Sequence, residues 1–414
     1  MNTSSSFPVA ALSAFPVQSD VCIVGNGVIG KVAALGLAQA GLSVTLLSPA
    51  VVPTMAPAAL TQGWDARVYA LNHVAHALLS AVKVWDALDA TRIATVDAMV
   101  VQGGDGSKHA GVLGFDAYGA HVGALAWIVE DRNLNAALDT ALKFASKVRA
   151  VQGRATALHS NSEGAAIVLE NGETLRASLV VGADGGQSWV RNQCDIGIDY
   201  RSYGQRGVVT NFECEKPHHG VAYQWFSATE GIVALLPLPG QRVSLVWSAP
   251  EVLAQTLMRE SPAQIAARLQ VFCSEKLGLL RPVQPEEVKA FPLALIRPHA
   301  IVAPRVALIG DAAHVVHPLA GHGMNLGFAD VAGLLEAITA REAHRDCGDA
   351  RVLARYARAR KEDILLMQLA TDSLARLFAT EFEPVRMILN AGLNLIDKFP
   401  VIKRHLISHA LGRK

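Results

Sequence analysis

Cysteine is scarce in this chain and stands apart. The 414 residues hold five, Cys22, Cys194, Cys214, Cys273 and Cys347, with no C-x-x-C pair among them. That spacing excludes zinc fingers and a disulfide framework, and it leaves a reducing, cytoplasmic compartment as the expectation. Excess charge is missing as well. The formal net charge is +1, so there is no basic surplus to neutralise phosphates, and nucleic acid is not expected as a partner. No apolar run reaches the roughly 18 residues a membrane-spanning helix needs, so none is expected. The opening "MNTSSSFPVAALSAFPVQSD" has no basic residue ahead of its apolar stretch, unlike a secretion signal, and residues 1–19 are expected to form a loose tail. Repeats, low-complexity tracts and obvious linkers are absent. What is present is apolar: 51% hydrophobic against 18% charged, which reads as a globular chain of two or three domains. It is oily for a soluble protein.

Order is expected to begin at "DVCIVGNGVIGKVAALGLAQAGLSVTLLSP". "VCIVG" is a short, wholly apolar run rich in β-branched residues and predicts a buried parallel strand. A helix closed by Gly41 follows, then the strand "SVTLL". Gly25, Gly27 and Gly30 fall in the first turn of this β-α-β unit. The first permits the tight turn, the second lets backbone approach a pyrophosphate, and the third lets helix and strand pack closely. A phosphate would then rest on the positive helix end. The second strand would ordinarily end in Asp or Glu to bind a ribose. Here the residue is Ser48, whose hydroxyl accepts more weakly. "DARVYALNHVAHALLSAVKVWDAL" (65–88) predicts an amphipathic helix. Arg67, ahead of it, is assigned to a cofactor phosphate in preference to a surface carboxylate.

Further on, "ALAWIVEDRNLNAALDTAL" predicts a strand entering a helix, and Asn171-Gly172 marks a hairpin whose second strand runs into "GADGGQSWVR". From about 206 to 247, strand-length runs separated by Gly, Pro and His predict an antiparallel sheet that would wall a substrate chamber. A helix follows around 262–277. "RVALIGDAAH" returns to an apolar strand, ending in Gly-Asp, and the remainder reads as helices with apolar residues at three- and four-residue spacing. The nucleotide unit is therefore expected to be discontinuous.

"GDAAHVVHPLAGHGMNLGFAD" (310–330) admits three readings. As a metal site it would use His314, His317 and His322, but their offsets do not share a helical face and Pro318 interrupts any helix between them; no metal is expected. As a plain loop, its histidines are packed or solvated. As part of a cofactor cradle, which is preferred, Asp311 ends a buried strand and accepts hydrogen bonds from sugar-like hydroxyls. Gly321, Gly323 and Gly327 then let backbone pass flat against a ring system, and a helix starting near Gly323–Met324 aims free N–H groups at negative charge.

Three stretches, "GNGVIG" (25–30), "GADGGQSWVR" (182–191) and "GDAAHVVHPLAGHGMNLGFAD", together resemble the three FAD motifs of the class A flavoprotein aromatic hydroxylases. The third resembles the form found in the ubiquinone-biosynthesis hydroxylases. "DARVYALN", "WIVEDRNLNAAL", "YARARKED", "TDSLARLF" and the C-terminal "VRMILNAGLNLIDKFPVIKRHLISHALG" are similar to other stretches of that group, so the likeness runs from about 20 to 412. It implies an α/β fold: a Rossmann-like FAD-binding domain (20–80, 125–195 and 300–345), a substrate domain with an antiparallel sheet (81–124 and 196–299) and a C-terminal helical region (346–414). It implies that Gly25, Gly27 and Gly30 face the FAD pyrophosphate and that Asp184 and Gly185 lie near FAD and a passing nicotinamide. Asp311 would hold the ribityl or pyrophosphate region. Pro318, Gly321, Gly323, Met324 and Asn325 would line the isoalloxazine, and Arg191 closes the second motif. His322 stands where the group usually has glutamine; it is the candidate catalytic residue, tuning the flavin or drawing on a substrate hydroxyl, with a tolerated exchange as the alternative.

The implied activity is ring hydroxylation of a polyprenylated phenol in ubiquinone biosynthesis, through a C4a-hydroperoxyflavin formed from FAD, O2 and electrons from NAD(P)H or another reductant. The protein's share is to exclude water, hold the ring and stabilise the anionic reduced flavin. For removing the phenol proton, Tyr203 and Tyr223 are as open by sequence as His322. Partners implied are the membrane surface, where the substrate dissolves, and other ubiquinone-biosynthesis proteins. Residues 395–414 mix Leu and Ile with five basic residues and suit either an anionic bilayer, as a protein held peripherally at the inner membrane, or a packed terminal helix. The rival readings are an FAD enzyme of this fold acting on another aromatic or prenyl substrate, and a non-catalytic member that binds lipid or serves as a scaffold.

Overall fold

The computed structural model describes residues 18–48, 63–103, 111–283, 287–317 and 322–378. Its first sheet is built around the opening strand Ser19–Val24, which is flanked on both edges by parallel neighbours. The order is Val302–Ala303, Val306–Leu308, Thr174–Gly182, Ser19–Val24, Val44–Ser48, Val148–Gln152. Register sets Val21 beside Val44 and Leu179, and Val24 beside Leu47 and Gly182. A strand paired on both edges and covered on both faces must be apolar throughout, which is why "VCIV" shows no alternation. The crossover is the helix Val28–Gln39. Thr174–Gly182 serves two partners: its first half pairs antiparallel with Ala165–Leu169 across the Asn171-Gly172 turn, and its last residues pair parallel with Val306–Leu308. That one strand joins the hairpin to the segment more than a hundred residues later.

One face of this sheet packs against Val28–Gln39 and, beyond it, the helices His322–Thr339 and Ala350–Phe378, with Val32, Leu37, Phe328, Leu334 and Tyr356 fully buried. The expected loose tail falls on residues 1–17, outside the described residues, except that Ser19 already belongs to the first strand. Residues 379–414, with the basic and apolar C-terminal stretch, also lie outside them.

The second sheet runs Leu280–Pro282, Ile198–Cys214, Arg242–Pro250, Gly231–Leu238, Val221–Ser227, Ala98–Gly103, Val112–Asp116, with Lys289–Pro298 also paired to Ile198–Cys214. All its pairings are antiparallel except that of Val221–Ser227 with Ala98–Gly103. Trp247, Phe212, Val233 and Leu245 point to one face, where the helix Pro262–Leu277 covers them with Ile265, Leu269 and Cys273. That helix starts where its sequence says it should. Ser261 and Gln264 form a reciprocal capping box, and Pro262 occupies the first turn, where no N–H is needed.

A third, three-stranded sheet places Ala126–Glu130 between Val68–Leu71 and Ile93–Val96. Here the expectation of one helix over 65–88 is corrected. Val68–Leu71 is a strand, and the helix is only His73–Ala81. Asn72 makes the break, its side chain accepting from the Ala75 N–H at 3.1 Å. Pairing with Ala126–Glu130 outweighs the local helical spacing.

Candidate active site

The helix Val28–Gln39 starts at Gly27 with no side-chain cap and no acidic residue in its first turn. Its first N–H groups therefore point outward at the carboxyl ends of the parallel strands. The three glycines of this turn divide their duties. Gly25 has φ +112°, and a Cβ there would collide with the Ala183 carbonyl. A Cβ on Gly30 would collide with the Gly25 carbonyl and stand 3.4 Å from the Ala183 methyl. A Cβ on Gly27 would meet nothing within 4 Å. Two glycines close the turn against the second motif, and the third keeps space clear above the helix start.

The three motifs converge on those strand ends. The Ala183 N–H donates to the Val24 carbonyl (2.8 Å) and the Ile309 N–H to that of Gly182 (2.9 Å). Asp184 accepts from the Val190 N–H at 3.0 Å through Oδ2, while its buried Oδ1 has no partner. Gly185, at φ +82°, has open space where a Cβ would be. Arg191 ties the second motif to the third, donating to the carbonyls of Gly186 (2.8 Å) and Ala312 (3.1 Å). Gly310 and Gly327 close the third motif on Ile29 of the first, where added Cβ atoms would stand 3.3 and 2.9 Å from its side chain. Ser48 is buried at the end of its strand, and its carbonyl accepts from the Gly153 N–H at 2.9 Å.

Behind this junction lies a charged network that the sequence reading missed. Asp330 is fully buried. Its Oδ2 accepts from the Gly310 N–H (2.9 Å) and meets His314 Nε2 at 2.6 Å; its Oδ1 accepts from Arg360 Nε at 2.8 Å. Burial pushes the Asp330 carboxyl up, but His314 and Arg360 together outweigh it and hold it below its usual range. Two of the three histidines once weighed as metal ligands are thus engaged with protein: His314 with Asp330, and His317 with Gln205 Oε1 at 3.0 Å. Burial lowers His317 to about 4, so its imidazole is neutral at physiological pH. All three members stood in quoted stretches, His314 and Asp330 in residues 310–330 and Arg360 in "YARARKED", but nothing in the local pattern paired the arginine with an aspartate thirty residues away.

Between the third motif, the small sheet and the second sheet lies a cavity of about 800 Å³. Arg67, Asp311, Gly323, Met324 and Asn325 line its polar end. The Asp311 carboxylate opens to the cavity while protein surrounds it. Burial pushes its carboxyl up, opposed by His314 and Arg67. Asn325 is structural as well as cavity-lining: its amide donates to the Ala70 carbonyl (2.8 Å) and accepts from the Asn72 N–H (2.9 Å), fixing the strand-to-helix break. The rest of the wall is mostly apolar, with Met99, Phe115, Val209, Ala222, Ile232, Leu236 and Val246 supplied by the second sheet. Phe291, 41% exposed, marks where the cavity meets solvent. Of the remaining sequence candidates, His322 is the first residue of its helix, and Pro318 and Gly321 lie outside the described residues. Tyr203 stands edge-on to His317, off the cavity wall; Tyr223 is among the cavity-lining residues, and its ring stacks on Trp225 and packs against the core under the helix Pro262–Leu277.

Comparison with known proteins agrees with this geometry. The FAD binding domain family matches residues 18–365. Ubiquinone hydroxylase UbiL of Rhodospirillum rubrum is 36% identical over 95% of this chain and 90% of its own. The 3-demethoxyubiquinol 3-hydroxylase of Escherichia coli is 34% identical over 95% of this chain and 98% of its own. Among solved structures, p-nitrophenol 4-monooxygenase PnpA of Pseudomonas putida shares the fold with a TM-score of 0.74, at 17% identity over 97% of this chain and all of that one. PqsL of Pseudomonas aeruginosa does so with 0.72, at 21% identity over 90% and 99%. The chain belongs to the FAD-binding monooxygenase family that includes the ubiquinone hydroxylases.

Proposed function

We propose that the protein hydroxylates the aromatic ring of a polyprenylated phenol in ubiquinone biosynthesis, using FAD, O2 and electrons from NAD(P)H or another reductant. The observation that carries this reading is a cavity with two unlike ends. One end is lined by Arg67, Asp311 and the start of the helix His322–Thr339, and the other is an apolar sheet face. A volume of about 800 Å³ takes a ring system and an aromatic head group together but not a long polyprenyl chain, whose tail would leave past Phe291.

The residues present fit FAD. The uncapped N–H groups above Gly27 suit its pyrophosphate, and the Asp311 carboxylate suits the ribityl hydroxyls. Arg67 offers the one cation on that wall near Asp311 among the described residues. The helix His322–Thr339 turns its positive end, at Gly323 and Met324, toward the same space and would stabilise negative charge on a reduced ring. Bound FAD would supply the oxygen atom taken from O2. The chain's own part is to keep water off the reacting carbon with the apolar floor and to hold the ring in register. His322, at the start of that helix, is the residue proposed to draw on the phenol hydroxyl. Among the described residues no helix is long and apolar enough to cross a membrane, and contact with the inner membrane surface is proposed through residues 395–414.

The test is turnover. FAD-loaded protein given NAD(P)H and a prenylated phenol should consume O2 and yield the ring-hydroxylated product in step with NAD(P)H oxidation. Retained FAD with no hydroxylation of any prenylated phenol would place the chemistry elsewhere.

A further inference from the structure

The cavity floor is one face of the second sheet, and its register can be followed strand by strand. Leu236, Ala222, Met99 and Phe115 form one row across four strands. Val209, Val246, Ala234 and Gln224 form the next, and Ser248 and Ile232 begin a third. Lys289, opposite Val209, is exposed and pairs with Glu287 at 2.9 Å; the buried polar side chains that line the cavity from these rows are Gln224 and Ser248. Gln224 is 5% and Ser248 4% exposed, and neither side chain makes a hydrogen bond with a described residue. Nor is either among the buried polar atoms sealed away without a partner. Their polar ends therefore reach the space of the cavity. A buried amide and hydroxyl left unpartnered cost stability that Leu and Ala in their places would not. Such groups in a binding cavity are satisfied by what enters it.

Their spacing is informative. Gln224 pairs with Ala234, and Ser248 with Ile232, on the strand between them. They stand two strands apart and two residues along, about 12 Å between backbones. Ala234 lies between them, and its methyl group leaves the floor flat. The reach of the two side chains, plus a hydrogen bond at each end, brackets a single aromatic ring bearing oxygens on opposite sides.

We propose that Gln224 and Ser248 decide which oxygenated ring the enzyme accepts, the Gln224 amide and the Ser248 hydroxyl each hydrogen-bonding a ring oxygen and so fixing which ring carbon faces the reacting end of the cavity. This rests on the function proposed above and names the residues that read its substrate. An apolar pocket alone discriminates poorly between rings that differ by one hydroxyl, whereas a pocket with placed polar groups rejects a ring lacking their partners.

The experiment uses the FAD-loaded full chain and two probes, farnesylhydroquinone and farnesylbenzene, titrated against the flavin absorbance. In Gln224→Leu and Ser248→Ala, affinity for farnesylhydroquinone is expected to fall by about tenfold, while that for farnesylbenzene changes by less than about twofold. Gln224→Met, which keeps the length without the amide, serves if Gln224→Leu does not fold. Equal losses for both probes, or no loss for either, overturn the assignment. Wild-type protein that binds neither probe overturns the proposed function, and this assignment with it.

Discussion

Gly27 and Gly30 sit three residues apart in one turn and answer to different constraints. Gly30 has the Gly25 carbonyl where its side chain would be; Gly27 has empty space. Gly30→Ala should destabilise the FAD-free protein by about 1–3 kcal/mol, because backbone must shift to admit the methyl group. Gly27→Ala should leave the unfolding midpoint unchanged. Thermal unfolding of both variants without FAD checks the pair; equal losses would show that Gly27 is there for packing too. His317 gives a pH signature. Its folded-state pKa, about 4, lies below the ordinary 6.5, so the unfolded chain binds the extra proton between those values. The stabilisation is fully present above pH 6.5 and is lost as pH falls toward 4, on the order of 3 kcal/mol in all. Denaturant unfolding of His317→Gln should show a loss smaller by that amount over the same window. Parallel curves for the two proteins would contradict a buried, neutral His317. The glycines were legible in the sequence because their constraint is local. His317 was not, since its burial depends on Gln205 and Tyr203, more than a hundred positions away.

At the scale of elements, the Asp330 carboxylate joins the end of a strand, at Gly310, to the helices His322–Thr339 and Ala350–Phe378. Asp330→Ala would leave Arg360 buried without its counter-charge and His314 Nε2 without its hydrogen-bond partner, and a loss of about 3–5 kcal/mol is expected in equilibrium unfolding near neutral pH. The lowered pKa of Asp330 makes its contribution present above the usual carboxylate range and lost as pH falls through the folded value. A loss under about 1 kcal/mol would show that the network is not what holds these elements. The strand Val68–Leu71 was hidden for a related reason. Its residues carry a helix-like spacing, and only the pairing with Ala126–Glu130 and the Asn325 clasp decide for strand. The antiparallel runs of 198–250, by contrast, were readable from turn residues and β-branched runs, because hairpins are local structures.

Over the whole molecule, two sheets and a small third one meet around one cavity; the three glycine-bearing stretches come together at the carboxyl ends of the parallel strands, and the third also lines the cavity's polar end. Their order and the strand-turn-helix setting of the first were visible in sequence. What was not visible was how they are fastened: Arg191 to Ala312, Ile29 against Gly310 and Gly327, Arg360 to Asp330. Nor could the sequence say which face of the second sheet would look into the cavity, since both faces carry apolar residues. The account depends on these stretches enclosing one flavin. Equilibrium titration of the FAD-stripped protein with FAD, followed by the visible flavin band, tests that most directly. The prediction is saturable, equimolar uptake by wild type, at least about tenfold weaker in Gly27→Ala and in Asp311→Ala while both variants remain folded. Wild-type protein that takes up no FAD, or variants that bind it as tightly as wild type, would contradict the account.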